Sequence, residues 1–232
     1  MRPFLTIITR CCKRPQLLRQ NIRSIMRQTC WDVEQIFAPD RVGHDLKWAN
    51  NRLIEQSSRI TGMYVYPGDD DGTMVSKHFV GEVKYCAMQW NYPEIILVKS
   101  ICVKDVHSGA LHYLPLVWDY DWEHGERPEM WAGHAYNYVV RADLWKEKIA
   151  AYRDKTHGGD AHFGEALIHE PGIRIVRCDV VASASMLRGQ GKRFEDCEPG
   201  WFEEIVEEFG IENLGGDTPE TEDWRLQLWR KR

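Results

Sequence analysis

Three aspartates stand side by side at residues 69 to 71, after the run YVYPG and before Gly72 and Thr73. Carboxylates packed this densely repel one another unless something positive sits among them. Four kinds of chemistry use such letters. A divalent cation can bridge carboxylates to a diphosphate, or one carboxylate can attack a phosphate while a second moves a proton. A calcium loop and a solvated turn that binds nothing are the others. A local basic patch, Arg10, Lys13, Arg14 and Arg19, follows the first apolar run and is available to meet a diphosphate or to line a solvated helix face.

The elements around these residues decide where they point. FLTIIT (4–9) is a continuous apolar, β-branched run and predicts a buried strand. RPQLLRQNIRSIMRQT predicts a helix, with Pro15 near its start and Leu18, Ile22, Ile25 and Met26 on one stripe. VEQIFA (33–38) predicts the second strand, DLKWANNRLIEQSS (45–58) a helix and MYVYP (63–67) the third strand. This β-α-β-α-β alternation is the pattern of a parallel, doubly wound sheet, whose ligands bind beyond the carboxyl ends of its strands. The aspartates fall at such an end.

Further along, the sequence predicts a helix over 75–90, a strand over 94–103, a turn at 107–109 and a second strand from Ala110. Residues 118–131 are aromatic, acidic and unpatterned, and read as a loop. A strand at 135–140, a helix from Arg141, a short helix over 159–170 and a strand over 173–183 follow. Residues 185–200 read as a loop, WFEEIVEEFG as a last helix, and the residues from Ile211 as a polar tail.

Composition sets the frame. The chain has 232 residues, 43% of them hydrophobic, enough for one sizeable globular α/β domain rather than a disordered chain. No apolar run approaches the roughly 18 to 20 residues that span a bilayer. Seven cysteines without a CxxC pair read as reduced thiols, and the protein is expected in the cytoplasm. A net charge of −5 gives no global pull toward nucleic acid.

A calcium loop of the EF-hand type with Gly72 at its glycine position would open on Pro67 and close on His78, neither of them a suitable ligand there. The stretch also resembles the signature of haloacid dehalogenase-type phosphatases, a hydrophobic strand followed by Asp-x-Asp-Gly-Thr. Asp69 would then be the nucleophile and Asp71 the acid/base, with magnesium between them and the phosphate. Two features oppose that reading: Pro67-Gly68 reads as a break in the strand, and a whole β-α-β-α-β unit precedes a motif that normally opens its domain.

That unit carries a second resemblance. LTIITRCCKRPQLLRQNIRSIMRQT resembles the opening of family-2-type glycosyltransferases of the GT-A fold, with an apolar strand, a Thr-x-x-Arg-Pro-like turn and a helix ending near Gln-Thr. EQIFAPD places Asp40 where that family commonly has a nucleobase-contacting aspartate. WANNRL resembles its Ala-Arg-Asn-x-Gly helix, with Asn51 at the asparagine, and GMYVYPGDDDG its Asp-x-Asp segment. The resemblance implies a GT-A-like doubly wound mixed sheet, mostly parallel and flanked by helices. It implies one domain over 1–210, with a nucleotide-binding half (1–75) and an acceptor and catalytic half (90–200), before a tail at 211–232. The nucleotide would lie across Thr9, Arg10, Arg14, Asp40 and Asn51. Asp71 would ligate manganese or magnesium, with Asp69 nearer the ribose and Asp70 beside them.

In the second half, HGGDAHFGEAL resembles the family's Glu-Asp-x-x-aromatic helix start, with Asp160 at the aspartate and Gly159 where glutamate is common. Asp160 would be the catalytic base toward an acceptor hydroxyl, although a carboxylate there also serves as a plain helix cap. His157 and His162 are alternative bases. QGKRF resembles the Gln-x-x-Arg-Trp motif of processive synthases, with Phe194 for tryptophan. Arg188, Lys192 and Arg193 would close over the diphosphate as a basic, glycine-hinged loop. Trp118, Tyr120, Trp122 and Trp131 could stack on an acceptor sugar or fill the core. The expected activity is an inverting, metal-dependent transfer from a nucleoside-diphosphate sugar, a UDP-sugar favoured, to a hydroxyl of a glycan, lipid, protein or modified nucleic acid. The alternatives are the phosphatase and a non-catalytic nucleotide-sugar binder.

Overall fold

The structure is a computed structural model and describes residues 2–40, 46–105, 110–113, 137–155, 159–186, 198–216, 218 and 221–231. The first unit follows the apolar pattern closely: β1 (Leu5–Cys11), α1 (Pro15–Met26), β2 (Val33–Pro39), α2 (Leu46–Ser57) and β3 (Tyr64–Asp69). Pro15 sits in the first turn of α1, where its missing N–H costs nothing. Leu18, Ile22 and Ile25 form the buried stripe of that helix. Each such side chain contributes about 1.5–3 kcal/mol on leaving water.

β4 (Gly72–Met74), α3 (Phe79–Gln89), β5 (Ile95–Asp105), β6 (Ala110–Tyr113), β7 (Tyr138–Arg141), α4 (Ala142–Lys148) and α5 (Gly159–Ile168) come next. β8 (Ile175–Met186), α6 (Trp201–Phe209), β9 (Glu212–Asn213) and β10 (Trp224–Gln227) complete the chain. The strands form one sheet in the order β4-β8-β5-β7-β3-β1-β2-β10-β9, with β6 paired on β5. Its core, β3-β1-β2, is parallel, as is the β5–β8 pair, and antiparallel strands lie between and outside them.

Side-chain alternation divides the sheet into two apolar layers. Leu5, Ile7, Cys11, Tyr64 and Tyr66 pack with α1, α3 and α6. Ile8, Val65 and Val140 pack with α2, α4 and α5. Helices on both faces of a sheet with a parallel core make this an α/β fold. Among the described residues no helix is long and apolar enough to cross a membrane.

Four details differ from the sequence expectations. β3 runs unbroken through Pro67 and Gly68, paired in register with Ile8 and Thr9 of β1. The ladder between β3 and β7 is confined to Tyr64 and Val65, so the proline sits where β3 has one paired flank. The supposed strand break is therefore no argument against a phosphatase. Gly72–Met74 is a short strand antiparallel to Ser183–Ser185 of β8, which runs to Met186 where the sequence reads as loop. The polar tail is part of the sheet: β10 pairs antiparallel with β2 and buries Leu226, with Leu228 beyond it. The turn at 107–109 and the aromatic loop with Trp118, Tyr120, Trp122 and Trp131 lie outside the described residues.

Candidate functional site

The positive groups among the aspartates are two arginines of the same chain. Arg10, next to last in β1, is in register with Asp69, last in β3. Its Nε and Nη2 donate to the two Asp69 carboxylate oxygens at 2.5 and 3.0 Å, a fork-to-fork pair. Its Nη1 donates to Asn50 Oδ1 at 2.6 Å. Burial alone would lower the Arg10 pKa, but Asp69 and Tyr152 more than compensate and it ends above its ordinary value.

Arg14 occupies the N-cap position of α1 and is buried. Its Nη2 donates to Asp70 in a very close contact and its Nη1 to Asp71 Oδ2 at 3.2 Å. Asp70 is fully buried, and its second oxygen accepts the backbone N–H of Cys12 at 2.7 Å. Burial pushes the Asp70 carboxyl up to about 7, with Arg14 pulling it back and Asp71 adding to the rise. The three carboxylates are thus divided: Asp69 to Arg10, Asp70 to Arg14, and Asp71 to the far edge of Arg14.

Interior groups hold this lattice at the strand tips. Asn21 of α1 donates to the carbonyl of Gly72, and its Oδ1 accepts from Gln35 Nε2 at 2.7 Å. Gln35 also donates to Thr9 Oγ1 at 2.7 Å. Gly62, which leads into β3, donates its N–H to Thr6 Oγ1 at 2.9 Å. A Cβ at Gly62 would stand 2.6 Å from that hydroxyl and 2.7 Å from the Thr6 nitrogen, so the close approach requires glycine.

The structure brings Arg10, Arg14, Asp69, Asp70 and Asp71 together. Asp40 lies at the neighbouring tip, just past β2, with its N–H on the Cys11 carbonyl at 2.8 Å. Thr9 is not offered to a ligand by its side chain. It points into the α1 layer, wholly buried, because alternation puts Thr9 and Arg10 on opposite faces. Asn51 also stands apart from the lattice, on Asp154, while its neighbour Asn50 reaches Arg10. Asn50 was missed by sequence reasoning, though it lies three residues before the buried Leu53, at core-facing helical spacing. Asp160 falls in the first turn of α5, where the backbone alone is described. Arg188, Lys192, Arg193 and His157 lie outside the described residues, and His162 is exposed.

A divalent cation fits this donor set in one way. Among the described residues no three His, Cys, Asp or Glu side chains converge into a cage. Magnesium-like ions bound to phosphates need only one or two protein carboxylates, the rest coming from phosphate and water. Asp71 suits that part. Its contact with Arg14, at 3.2 Å, is longer than a strong charge-assisted bond, and its side chain is 13% exposed against none for Asp70. Among the described residues the buried Nε–H of Arg14 has no hydrogen-bond partner, an orphan donor beside the same carboxylates.

No sequence-family model matches the chain, and no curated protein does. Solved structures do. S. aureus TarS 1–349 superposes with a TM-score of 0.55 at 11% identity, over 80% of this chain and 60% of that one. The same fragment in complex with UDP-GlcNAc gives 0.55 at 13% identity, over 89% of this chain and 64% of that one. The mannosyltransferase PcManGT from Pyrobaculum calidifontis, in complex with GDP-Man and Mn2+, gives 0.53 at 16% identity, over 82% and 59%. The chain thus spans less than two thirds of these neighbours' length. The fold is that of the GT-A glycosyltransferases, as the opening motifs imply.

Proposed function

We propose that the chain is a metal-dependent, inverting glycosyltransferase that moves a sugar from a nucleoside-diphosphate donor to an acceptor hydroxyl. The observation that carries this reading is the arginine–aspartate lattice at the tips of β1 and β3, in a fold shared with a mannosyltransferase solved with GDP-Man and Mn2+. A UDP-sugar is the favoured donor, since TarS 1–349 is solved with UDP and with UDP-GlcNAc.

Arg10 and Arg14 would face the diphosphate, Arg14 with an Nε–H that has no partner among the described residues. Asp40 would meet the nucleoside, with Thr9 buried behind the strand tips on Gln35 and Asn51 acting through Asp154 and not on the nucleotide. Asp69 and Asp70 keep the two guanidinium groups aimed, so that the positive charge is in place before the leaving group needs it. Manganese or magnesium on Asp71 would supply further charge against the departing diphosphate. Asp160, at the start of α5, would take the proton of the acceptor hydroxyl. Arg193 belongs to the donor side of this proposal through the resemblance of its motif. Cysteines 11, 12, 30, 86 and 178 are free thiols, which fits a cytoplasmic setting.

The phosphatase reading is weaker in this geometry, because both oxygens of Asp69, its nucleophile, are engaged by Arg10. Calorimetry with UDP and GDP, with and without manganese, followed by donor turnover with candidate acceptors, tests the proposal. Manganese-dependent binding of a nucleoside diphosphate supports it; an absence of binding by either diphosphate defeats it.

A further inference from the structure

We infer that Asn50 and Asn51 of α2 form a clasp that positions the entry to α5 against the arginine–aspartate lattice, which makes Asn50 a positioning residue for the proposed transfer. The catalytic consequence rests on the reading above; the clasp itself does not. Asn50 is 1% exposed. Its Oδ1 accepts from Arg10 Nη1 at 2.6 Å, and its Nδ2 donates to the carbonyl of Lys155 at 2.8 Å. Asn51 takes the preceding residue: its Oδ1 accepts the Asp154 N–H at 2.9 Å, and its Nδ2 donates to Asp154 Oδ1 at 3.1 Å. Two consecutive amides of the helix thereby hold two consecutive residues of the loop.

The loop residue held most fully is the one whose backbone needs it. Asp154 has φ of +58°, in the left-handed region that costs a non-glycine residue energy unless local hydrogen bonds sustain it. In sequence, Asp160 lies five positions beyond Lys155 and α5 begins at Gly159. α5 is itself fixed by Phe163, whose ring lies 4.8 Å from Trp145 and 5.3 Å from Tyr152. The clasp and this aromatic contact are two anchors, one on each side of the first turn of α5.

A clasp that only stabilised the loop would need no second partner. Asn50 has one, and it is the arginine that forks onto Asp69. The hydrogen-bond series from Asp69 through Arg10 and Asn50 to the Lys155 carbonyl is unbroken. An anion arriving at Arg10 draws on the same guanidinium donors that Asp69 and Asn50 now share. Any shift of the Asn50 amide is then passed to the Lys155 carbonyl, four residues before the start of α5.

Asn50→Asp separates the two arms, because the isosteric carboxylate still accepts from Arg10 but offers no donor to Lys155. Asn50→Ala removes both, and Asn51→Ala, at a less buried position, loosens only Asp154, which keeps the test alive if Asn50→Ala fails to fold. All are made in the full chain and read by amide exchange over 153–160, by calorimetry with UDP and manganese, and by donor turnover. The expected result for Asn50→Asp is faster exchange over 153–160 and kcat lower by about 10- to 100-fold, with UDP affinity within about 3-fold of the parent. Asn51→Ala should speed exchange at 153–155. Unchanged exchange in these variants overturns the clasp, and a fall in UDP affinity equal to the fall in kcat overturns the positioning role. A parent protein that binds no diphosphate defeats the transferase reading instead, and the exchange data still decide the clasp.

Discussion

Arg14 and Asp70 form a buried ion pair at the foot of the aspartate run, with side-chain exposures of 7% and 0%. Removing one partner of such a pair leaves the other charge buried and uncompensated, which commonly costs about 3–5 kcal/mol. Arg14→Met should therefore lower folding stability by about that amount, measured by urea denaturation at pH 8. Arg10→Met, whose partner Asp69 is 25% exposed, should cost clearly less. Equal losses would mean that burial does not rank the two pairs.

The same pair makes stability depend on pH near neutrality. Asp70 is raised from 3.8 to about 7, first by burial, so between those values the folded chain holds a proton that the unfolded chain has released. Stability from this group is fully present below about pH 4 and is lost as pH rises through about 7. Subtracting the urea-denaturation profile of Asp70→Asn from that of the parent between pH 4 and 8 should show this downward slope. A flat difference would place the Asp70 pKa in the ordinary carboxylate range.

Asp71 is the carboxylate with the loosest arginine contact and the one proposed to meet the cation. Asp71→Asn should abolish the manganese-dependent part of UDP binding while costing less stability than Arg14→Met, since the amide keeps the side chain's shape and the 3.2 Å contact is longer than the one between Arg14 and Asp70. Titration of UDP into the variant, with manganese and then with excess chelator, reads this directly. Manganese dependence that survives in Asp71→Asn assigns the cation elsewhere.

The elements around the site were legible where one physical signal dominated. Continuous apolar runs mark β1, β2 and β3, and the stripe Leu18, Ile22, Ile25 marks α1, because a strand buried on both faces and a half-buried helix impose those patterns. Partner choice was not legible. Arg14 and Asp70 are 56 residues apart, and local sequence does not say which of four nearby basic residues enters the carboxylate cluster. The register of β1 on β3 decides that Arg10 meets Asp69. The choice of Asn50 over Asn51 turns on one step of helix rotation, which the docking of α2 fixes. The sequence resemblance, aligned by letters, selected the neighbour.

Asp160→Asn tests the proposed base. Loss of a general base costs typically 10²- to 10⁴-fold in rate. The variant should lose transfer on that scale while UDP affinity, proposed to be set at the tips of β1 and β3, stays within about 3-fold, a tolerance well under 1.4 kcal/mol. If transfer persists near the parent rate, Asp160 is a helix cap and the base is another group.

The C-terminal residues provide the sharpest contrast between letters and fold. Trp224, Leu226 and Leu228 alternate with Arg225 and Gln227, a period-2 pattern hidden by the polar stretch before it. In the structure Leu226 is fully buried against β2, and Arg225 donates to the buried Glu34 at 3.0 Å. Glu34 in turn accepts from Thr6 and Thr61, each at 2.7 Å, which ties the last strand to β1 and to the entry of β3. Leu226→Ala should therefore cost about 2–5 kcal/mol, as a core cavity does. Truncation after Phe209 should remove the strand that covers β2 and leave the chain aggregating on expression, through the newly exposed edge. Leu214→Ala, at a residue 46% exposed, is the control and should change stability by less than about 0.5 kcal/mol. A truncated chain that melts cooperatively near the parent temperature would show that β10 is an accessory to this sheet and not one of its structural strands.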